Sequence, residues 1–554
     1  MKNKVKLCLV VLPLMSIVSC GSGGSNGEQS GKFNITIATF DGGVGTAWLK
    51  ESIKTYEALN QDYTDPNYPD KQGIHIIIDA DRGYAGENLT SSGLKKDIYF
   101  TENVPLYELI NKGYLLDMSD TMTSTNPYAI NGESVIADKL ETNMKNFLNF
   151  KGTGKYYAIP YYDALYGFVY NVTMWKEKGF YIKSATTKAN GELSVTFTKN
   201  INDAHAGPDG DITTLEDNGL PATYEEFNAL LKKIRSTEGI TPILTSSAGK
   251  EYPSNILANL WATYEGYDET MLSYNFSGTA THLVPLETAS AKEIQPSKYE
   301  SKEISFTNGY DLLRQAGRYQ SLHFAKDILL SDSKNFETMN YHTDAQYEFV
   351  DGQDYAMLIE GSWWESEASS ALEDMDDDDL PEFAIMPLPH VGDSVDPIGN
   401  KQTIISAHYS YSFINSATKY PEICKDLMAF LHTDEQMSHF TTITKITKPL
   451  KYSLTEEDYN TVYNSTGRTY KEYSYLRSCL HLKETSNIIY PVSSITQVVN
   501  HWSDFRHLAW INNTTIKNSN KNNSWDYLST TNESTAYDYF RGEYDYYYNS
   551  WKSY

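Results

Sequence analysis

The residue best placed for a defined chemistry is Cys20, whose thiol sits at the end of a short leader. Lys2, Lys4 and Lys6 precede an apolar run from Leu7 to Val18, and Ile17-Val18-Ser19-Cys20 closes it. A basic start, an apolar middle and a small residue before the cut make an export leader. With cysteine at that place the segment has the form of a lipobox, in which cleavage before Cys20 leaves a thiol that carries lipid. The apolar run is well short of the ~20 residues that cross a bilayer, so lipid rather than a helix would hold the chain to a membrane. Gly21-Ser22-Gly23-Gly24-Ser25-Asn26-Gly27 then supplies a flexible tether.

Other reactive constellations are sparse. There is no Gly-x-Ser-x-Gly, no His-Glu-x-x-His and no Cys-x-x-Cys, and the 12 histidines are scattered without metal-ligand spacing. Asp209-Gly210-Asp211-Ile212 with Glu216 matches the later half of a calcium loop, but His205 and Gly207 stand where its first two acidic ligands belong. No metal and no cofactor are therefore expected. Asp374 with Asp376-Asp377-Asp378-Asp379 before Pro381 reads as a solvated loop. Paired carboxylates for glycoside hydrolysis need only meet in space and leave no signature; an enzyme ranks behind a binding protein. With Cys8 in the leader and Cys20 lipidated, Cys424 and Cys479 remain, as one disulfide or as two buried thiols.

The elements that position these residues alternate. Ile35 to Phe40 reads as a strand ending at Asp41-Gly42-Gly43, followed by a helix through Trp48, Leu49 and Ile53. Ile74-His75-Ile76-Ile77-Ile78 is nearly all apolar, as in a strand covered on both faces. Asp97 to Phe100 gives a third strand, and Leu106 to Lys112 a helix stopped by Gly113. That order predicts an α/β fold with parallel strands. Thr223-Tyr224-Glu225-Glu226 is a capping box for a helix carrying Phe227, Leu230, Leu231 and Ile234. Ile423, Leu427, Phe430 and Leu431 mark another, with Pro421 in its first turn. Ala356–Ile359 and Phe383–Met386 are short buried-strand candidates, and 181–219, 270–305 and 514–535 look inserted or loop-like.

The 554 residues suffice for two sizeable lobes, and the net charge of −26 disfavours nucleic acid and anionic lipid surfaces as partners. Aromatic residues make up 13%, led by 44 tyrosines, side chains with flat apolar faces and a polar edge that suit sugar rings as well as ordinary cores.

Five motifs in order carry a family resemblance. Tyr157-Ala158-Ile159-Pro160-Tyr161 leads to Gly167-Phe168-Val169-Tyr170-Asn171 and Trp175-Lys176-Glu177-Lys178-Gly179. Then come Leu220-Pro221-Ala222-Thr223-Tyr224-Glu225-Glu226-Phe227, the segment from Phe349-Val350-Asp351-Gly352 through Ala356-Met357 to Gly361-Ser362-Trp363, Met386-Pro387-Leu388-Pro389, and the helix near Cys424. To about residue 450 the chain resembles the maltose-binding-protein-like extracellular solute-binding proteins, the sugar-capturing subunits of ABC importers. The resemblance implies a two-lobe periplasmic-binding-protein-like (type II) α/β fold, with hinge strands near 157–164 and 402–415 and a third crossing near Tyr490-Pro491. It divides the chain into a leader (1–19), lipidated Cys20 with tether (20–32), lobe one (33–158 plus 405–485) and lobe two (159–404 plus 486–554).

It also implies ligand contacts at Phe40, Asp41 and Gly42, at Thr101, Glu102 and Asn103, and at Tyr162, Asp163 and Tyr166, with Trp363 as the stacking plate and Trp364 pointing the other way. Trp261, Tyr264 and Trp502 read as core. The implied protein is no enzyme: a monomer, lipid-anchored outside the cell membrane, that captures a carbohydrate, an oligosaccharide by preference, and presents it to permease subunits. Two rivals remain: a surface glycan-binding or adhesion lipoprotein of the helical-repeat kind, against which the strands and the absence of a repeat argue, and a peptide-binding receptor of an ABC importer.

Overall fold

The computed structural model describes residues 27–40, 42–86, 88–130, 135–246, 251–285, 299–324, 336–339, 341–351, 354–376, 379–390, 401–406, 410–455 and 468–490. Cys20, Asp41, Trp502 and the stretch 514–535 lie outside them.

Two five-stranded sheets organise the chain. In the first, Ile74–Ala80, Phe33–Thr39 and Ile98–Thr101 run parallel, Tyr411–Ile414 adds antiparallel to Ile98–Thr101, and Ile159–Pro160 pairs antiparallel with Tyr411–Ile414. Phe33, Ile35, Ile37 and Ala38 are all fully buried, while in the edge strand Ile74 to Ile76 are buried and Ile77 and Ile78 half-buried, so the apolar run there is only partly covered on both faces. Helix Ala47–Leu59 covers one face through Trp48, Leu49, Ile53 and Tyr56.

The second sheet runs Phe336–Met339, Thr241–Ser246, Tyr355–Gly361, Tyr166–Asn171, Phe383–Met386. Its first three strands are parallel, while Tyr166–Asn171 is antiparallel to both of its neighbours. Both short apolar segments read from sequence are buried strands here. Helix Tyr224–Arg235 starts with the expected capping box: Thr223 Oγ1 accepts from the Glu226 N–H at 3.2 Å, and Glu226 Oε2 accepts from the Thr223 N–H at 3.4 Å and also from the Ala222 N–H at 2.7 Å. Two of the stretches read as inserted contain antiparallel strand pairs, Tyr181–Thr187 with Leu193–Thr198 and Gly278–Leu283 with Glu300–Ile304.

Residues 161–165 lead from Ile159–Pro160 of the first sheet to Tyr166–Asn171 of the second, and Gln402–Ile405 pairs parallel with Ser486–Ile489 in a separate two-stranded sheet. Ile159–Pro160 belongs to the first sheet. Helix Arg468–Glu484, expected with lobe one, packs on the second sheet: Ser474 Oγ donates to the Phe383 carbonyl, Ser478 Oγ accepts from Ile385 N–H, and Tyr475 OH donates to the Gly361 carbonyl. Its apolar side supplies the reason, since Tyr475 packs on Trp364 with ring centres 5.4 Å apart. Cys424 and Cys479 are free buried thiols rather than a disulfide. Among the described residues no helix is long and apolar enough to cross a membrane.

Candidate functional site

Strands in the two sheets end facing a cavity of about 140 Å³ lined by Phe40, Gly43, Glu102, Tyr162, Tyr252, His342, Trp363 and Glu367. Phe40 and Gly43 follow Phe33–Thr39, Glu102 follows Ile98–Thr101, and Tyr162 follows Ile159–Pro160. On the opposite side Trp363 and Glu367 follow Tyr355–Gly361, while Tyr252 and His342 come from helices Glu251–Asn275 and His342–Asp351. Crevices beyond the carboxyl ends of parallel strands are where α/β folds bind ligands.

On the first-sheet side, Tyr162 OH donates a short hydrogen bond to Glu102 Oε1. Burial, and then the Glu102 charge, push the Tyr162 phenol well above its ordinary value, so it stays a donor. Gly43 has φ +54°, and a Cβ there would lie 3.3 Å from Glu102 Oε1, so only glycine lets the loop approach this pair.

On the second-sheet side, Gln346 Nε2 bridges Glu367 Oε2 at 2.9 Å and Glu360 Oε1 at 3.2 Å, and His342 Nε2 lies 3.4 Å from Glu367 Oε1. Burial alone would raise the pKa of Glu367, but hydrogen bonds from His342, Gln346 and the Gly43 backbone outweigh it and hold the carboxyl below its usual value. Behind it, burial and then the Glu367 charge push Glu360 well above the usual carboxylate range. One carboxylate therefore stays charged at the cavity while its deeper neighbour is driven towards the neutral form.

The aromatic wall is built on Trp363, whose six-membered ring sits against Gly361: a Cβ at 361 would fall 2.1 Å from the ring. Tyr166 meets the indole edge to face, with ring centres 4.8 Å apart at 86°, and Tyr252 does so at 6.1 Å and 74°. Trp364 points away into the core beside Phe349 and Phe383, as expected. Trp261 is core as well, stacked under the Arg318 guanidinium at 3.9 Å, and Tyr264 is buried with its hydroxyl 2.8 Å from that of Tyr299.

Of the residues implied by the resemblance, Phe40, Glu102, Tyr162 and Trp363 thus meet at one cavity. Gly42 sits beside it, packed on the Phe40 ring. Tyr166 backs Trp363 and does not line the cavity. Thr101 is buried, its hydroxyl donating to the Tyr84 carbonyl, and Asn103 is exposed in a left-handed turn. Asp163 is turned to the hinge: Oδ1 accepts from Tyr490 OH at 2.8 Å, and Oδ2 from Thr447 Oγ1 at 2.7 Å and Lys483 Nζ at 2.6 Å. Gly43, Tyr252, His342 and Glu367 were missed. Gly43 adjoins a chosen glycine and Glu367 lies one helical turn after Trp363, so both were within reach; Tyr252 and His342 left no local signal.

The lining offers aromatic faces, carboxylate acceptors, a phenol donor and an imidazole, and among the described residues it includes no serine, cysteine or lysine. Such a surface holds a ligand with apolar faces and hydroxyl edges.

Residues 85–461 match the model of a family described as bacterial extracellular solute-binding protein. Among solved structures, the apo form of RafE from Streptococcus pneumoniae shares the fold, with a TM-score of 0.51 at 13% identity over 94% of this chain and 99% of that one. No curated protein sequence matches. The family match spans well over half of the residues and agrees with the resemblance read from the motifs: the chain belongs to the bacterial extracellular solute-binding proteins.

Proposed function

We propose that this protein captures a carbohydrate outside the cell and presents it to the permease subunits of an ABC importer, without chemical turnover, as a monomer held to the membrane by lipid on Cys20. The observation that carries the carbohydrate reading is the cavity itself, where Phe40, Tyr162, Tyr252 and Trp363 surround the carboxylates of Glu102 and Glu367. Aromatic plates cover the C–H faces of a sugar ring, and carboxylates accept from its hydroxyls. At about 140 Å³ the cavity is well below the roughly 300–1,000 Å³ of sites for drug-sized ligands. It suits one ring or the end of a chain, and a longer sugar requires the two sides to part at the hinge. The helical-repeat reading has no support in two mixed sheets.

The test is a thermal-shift screen of the chain from Gly21 onward against mono- and oligosaccharides and peptides. A ligand at a hundred times its Kd adds about 2.7 kcal/mol of stability. A shift with sugars supports the proposal, and a shift with peptides alone replaces it by the peptide receptor. Lipid on Cys20 is tested separately, by mass spectrometry of the membrane-bound protein and of the Cys20→Ala variant, which should be released.

A further inference from the structure

The incomplete calcium-like loop has a partner that sequence could not reveal. His481, on helix Arg468–Glu484, reaches it from the far end of the chain, with Nε2 3.4 Å from Asp217 Oδ2 and 3.8 Å from Asp209 Oδ2. One donor atom from each of the three residues lies within 4.8 Å of the others. Asp217 is 1% exposed, and its Oδ1 has no hydrogen-bond partner among the described residues. The His481 side chain is nine-tenths buried, and Nε2, aimed at the two carboxylates, makes no well-formed hydrogen bond. Two carboxylates and one imidazole are thus gathered out of water with donor atoms left over, an arrangement that is costly without a cation.

We propose that Asp209, Asp217 and His481 bind a zinc-like divalent transition-metal ion. Donors about 2.1 Å from a tetrahedral ion stand about 3.4 Å apart, close to the separations seen here. Three protein ligands leave a fourth position for water. The donor set discriminates against calcium, which takes six to eight oxygens, and an imidazole beside two carboxylates suits zinc. This is not an EF-hand: Gly207 turns so tightly that a Cβ there would fall 2.1 Å from the Asp217 carbonyl oxygen, and the third ligand comes from a distant helix. The ion would staple the 205–219 loop to the helix that packs on the second sheet, remote from the cavity residues.

The experiment uses untagged protein stripped with EDTA and titrated with ZnCl2 or CaCl2, followed by calorimetry, elemental analysis and melting temperature. One zinc per chain, a raised melting temperature, and at least tenfold weaker zinc binding in Asp217→Asn and His481→Gln are expected. Asp209→Asn, at the loop's more accessible ligand, covers the case in which those two variants fail to fold, and should weaken zinc as well. Cobalt substitution should give the visible bands of a tetrahedral site. Failure to retain zinc, equal retention by the variants, or stabilisation by calcium as large as by zinc overturns the assignment. Sugar binding is scored separately, so the two proposals fail independently.

Discussion

Lys483 Nζ lies 2.6 Å from Asp163 Oδ2, with both side chains largely or wholly out of water, and Tyr490 OH donates to the other oxygen of the same carboxylate. The same nitrogen donates to the Lys448 carbonyl, and Lys448 Nζ donates to the Tyr161 carbonyl at 2.8 Å. One aspartate therefore ties helix Arg468–Glu484, the Thr447 turn and Tyr490 to the first crossing. Removing one partner of a buried pair leaves the other charged and unpaired. Asp163→Ala should destabilise by about 3–5 kcal/mol in denaturant unfolding. A loss below about 1 kcal/mol would mean the pair behaves as a surface contact.

Trp363 and Gly361 form a second coupled pair. Trp363→Ala should weaken sugar binding at least tenfold without unfolding the protein, as loss of a central aromatic anchor costs on the order of 1–3 kcal/mol. Gly361→Ala should weaken it too, because the indole cannot lie where a methyl 2.1 Å away would stand. Calorimetry on both variants, with circular dichroism as the folding control, decides.

Gly43 should resist substitution for two reasons, its positive φ and the nearness of the Glu102–Tyr162 pair. Gly43→Ala is expected to cost about 1 kcal/mol or more in stability and to weaken sugar binding by at least tenfold. Unchanged affinity would detach this loop from the site.

His432 gives a pH dependence with a definite sign. It is fully buried, its Nδ1 donating to the Met428 carbonyl at 2.7 Å, and burial, then Lys448, push its pKa down to about 3. In the unfolded chain it takes a proton near pH 6.5, while the folded chain does not, so stability is full above that pH and falls as pH drops towards 3. Between pH 6.5 and 5 the loss from this group approaches about 2 kcal/mol. His432→Phe should remove that part of the pH dependence. Parallel wild-type and variant curves of unfolding midpoint against pH would refute the assignment.

Local pattern was enough for the strands around Ile35 and Ile76, for the capped helix after Thr223 and for the inward turn of Trp363 against the outward one of Trp364. Each depends on neighbours within one turn or one strand. What local pattern could not show depends on contacts between distant residues. Asp163 precedes the second-sheet strand like a ligand contact, yet it is claimed by Lys483 and Tyr490, some three hundred residues on. His342 and Tyr252 reach the cavity only because of how helices cross the second sheet. Tyr475 carried no sign that its helix would prefer Trp364 and the second sheet to the first.

The most direct test of the account is calorimetric titration of the Gly21-onward chain with the best sugar from the screen, beside Trp363→Ala. The account predicts one site per chain and at least a tenfold loss in the variant. Sugar affinity that survives Trp363→Ala unchanged, or no sugar binding at all where a peptide binds, would contradict it.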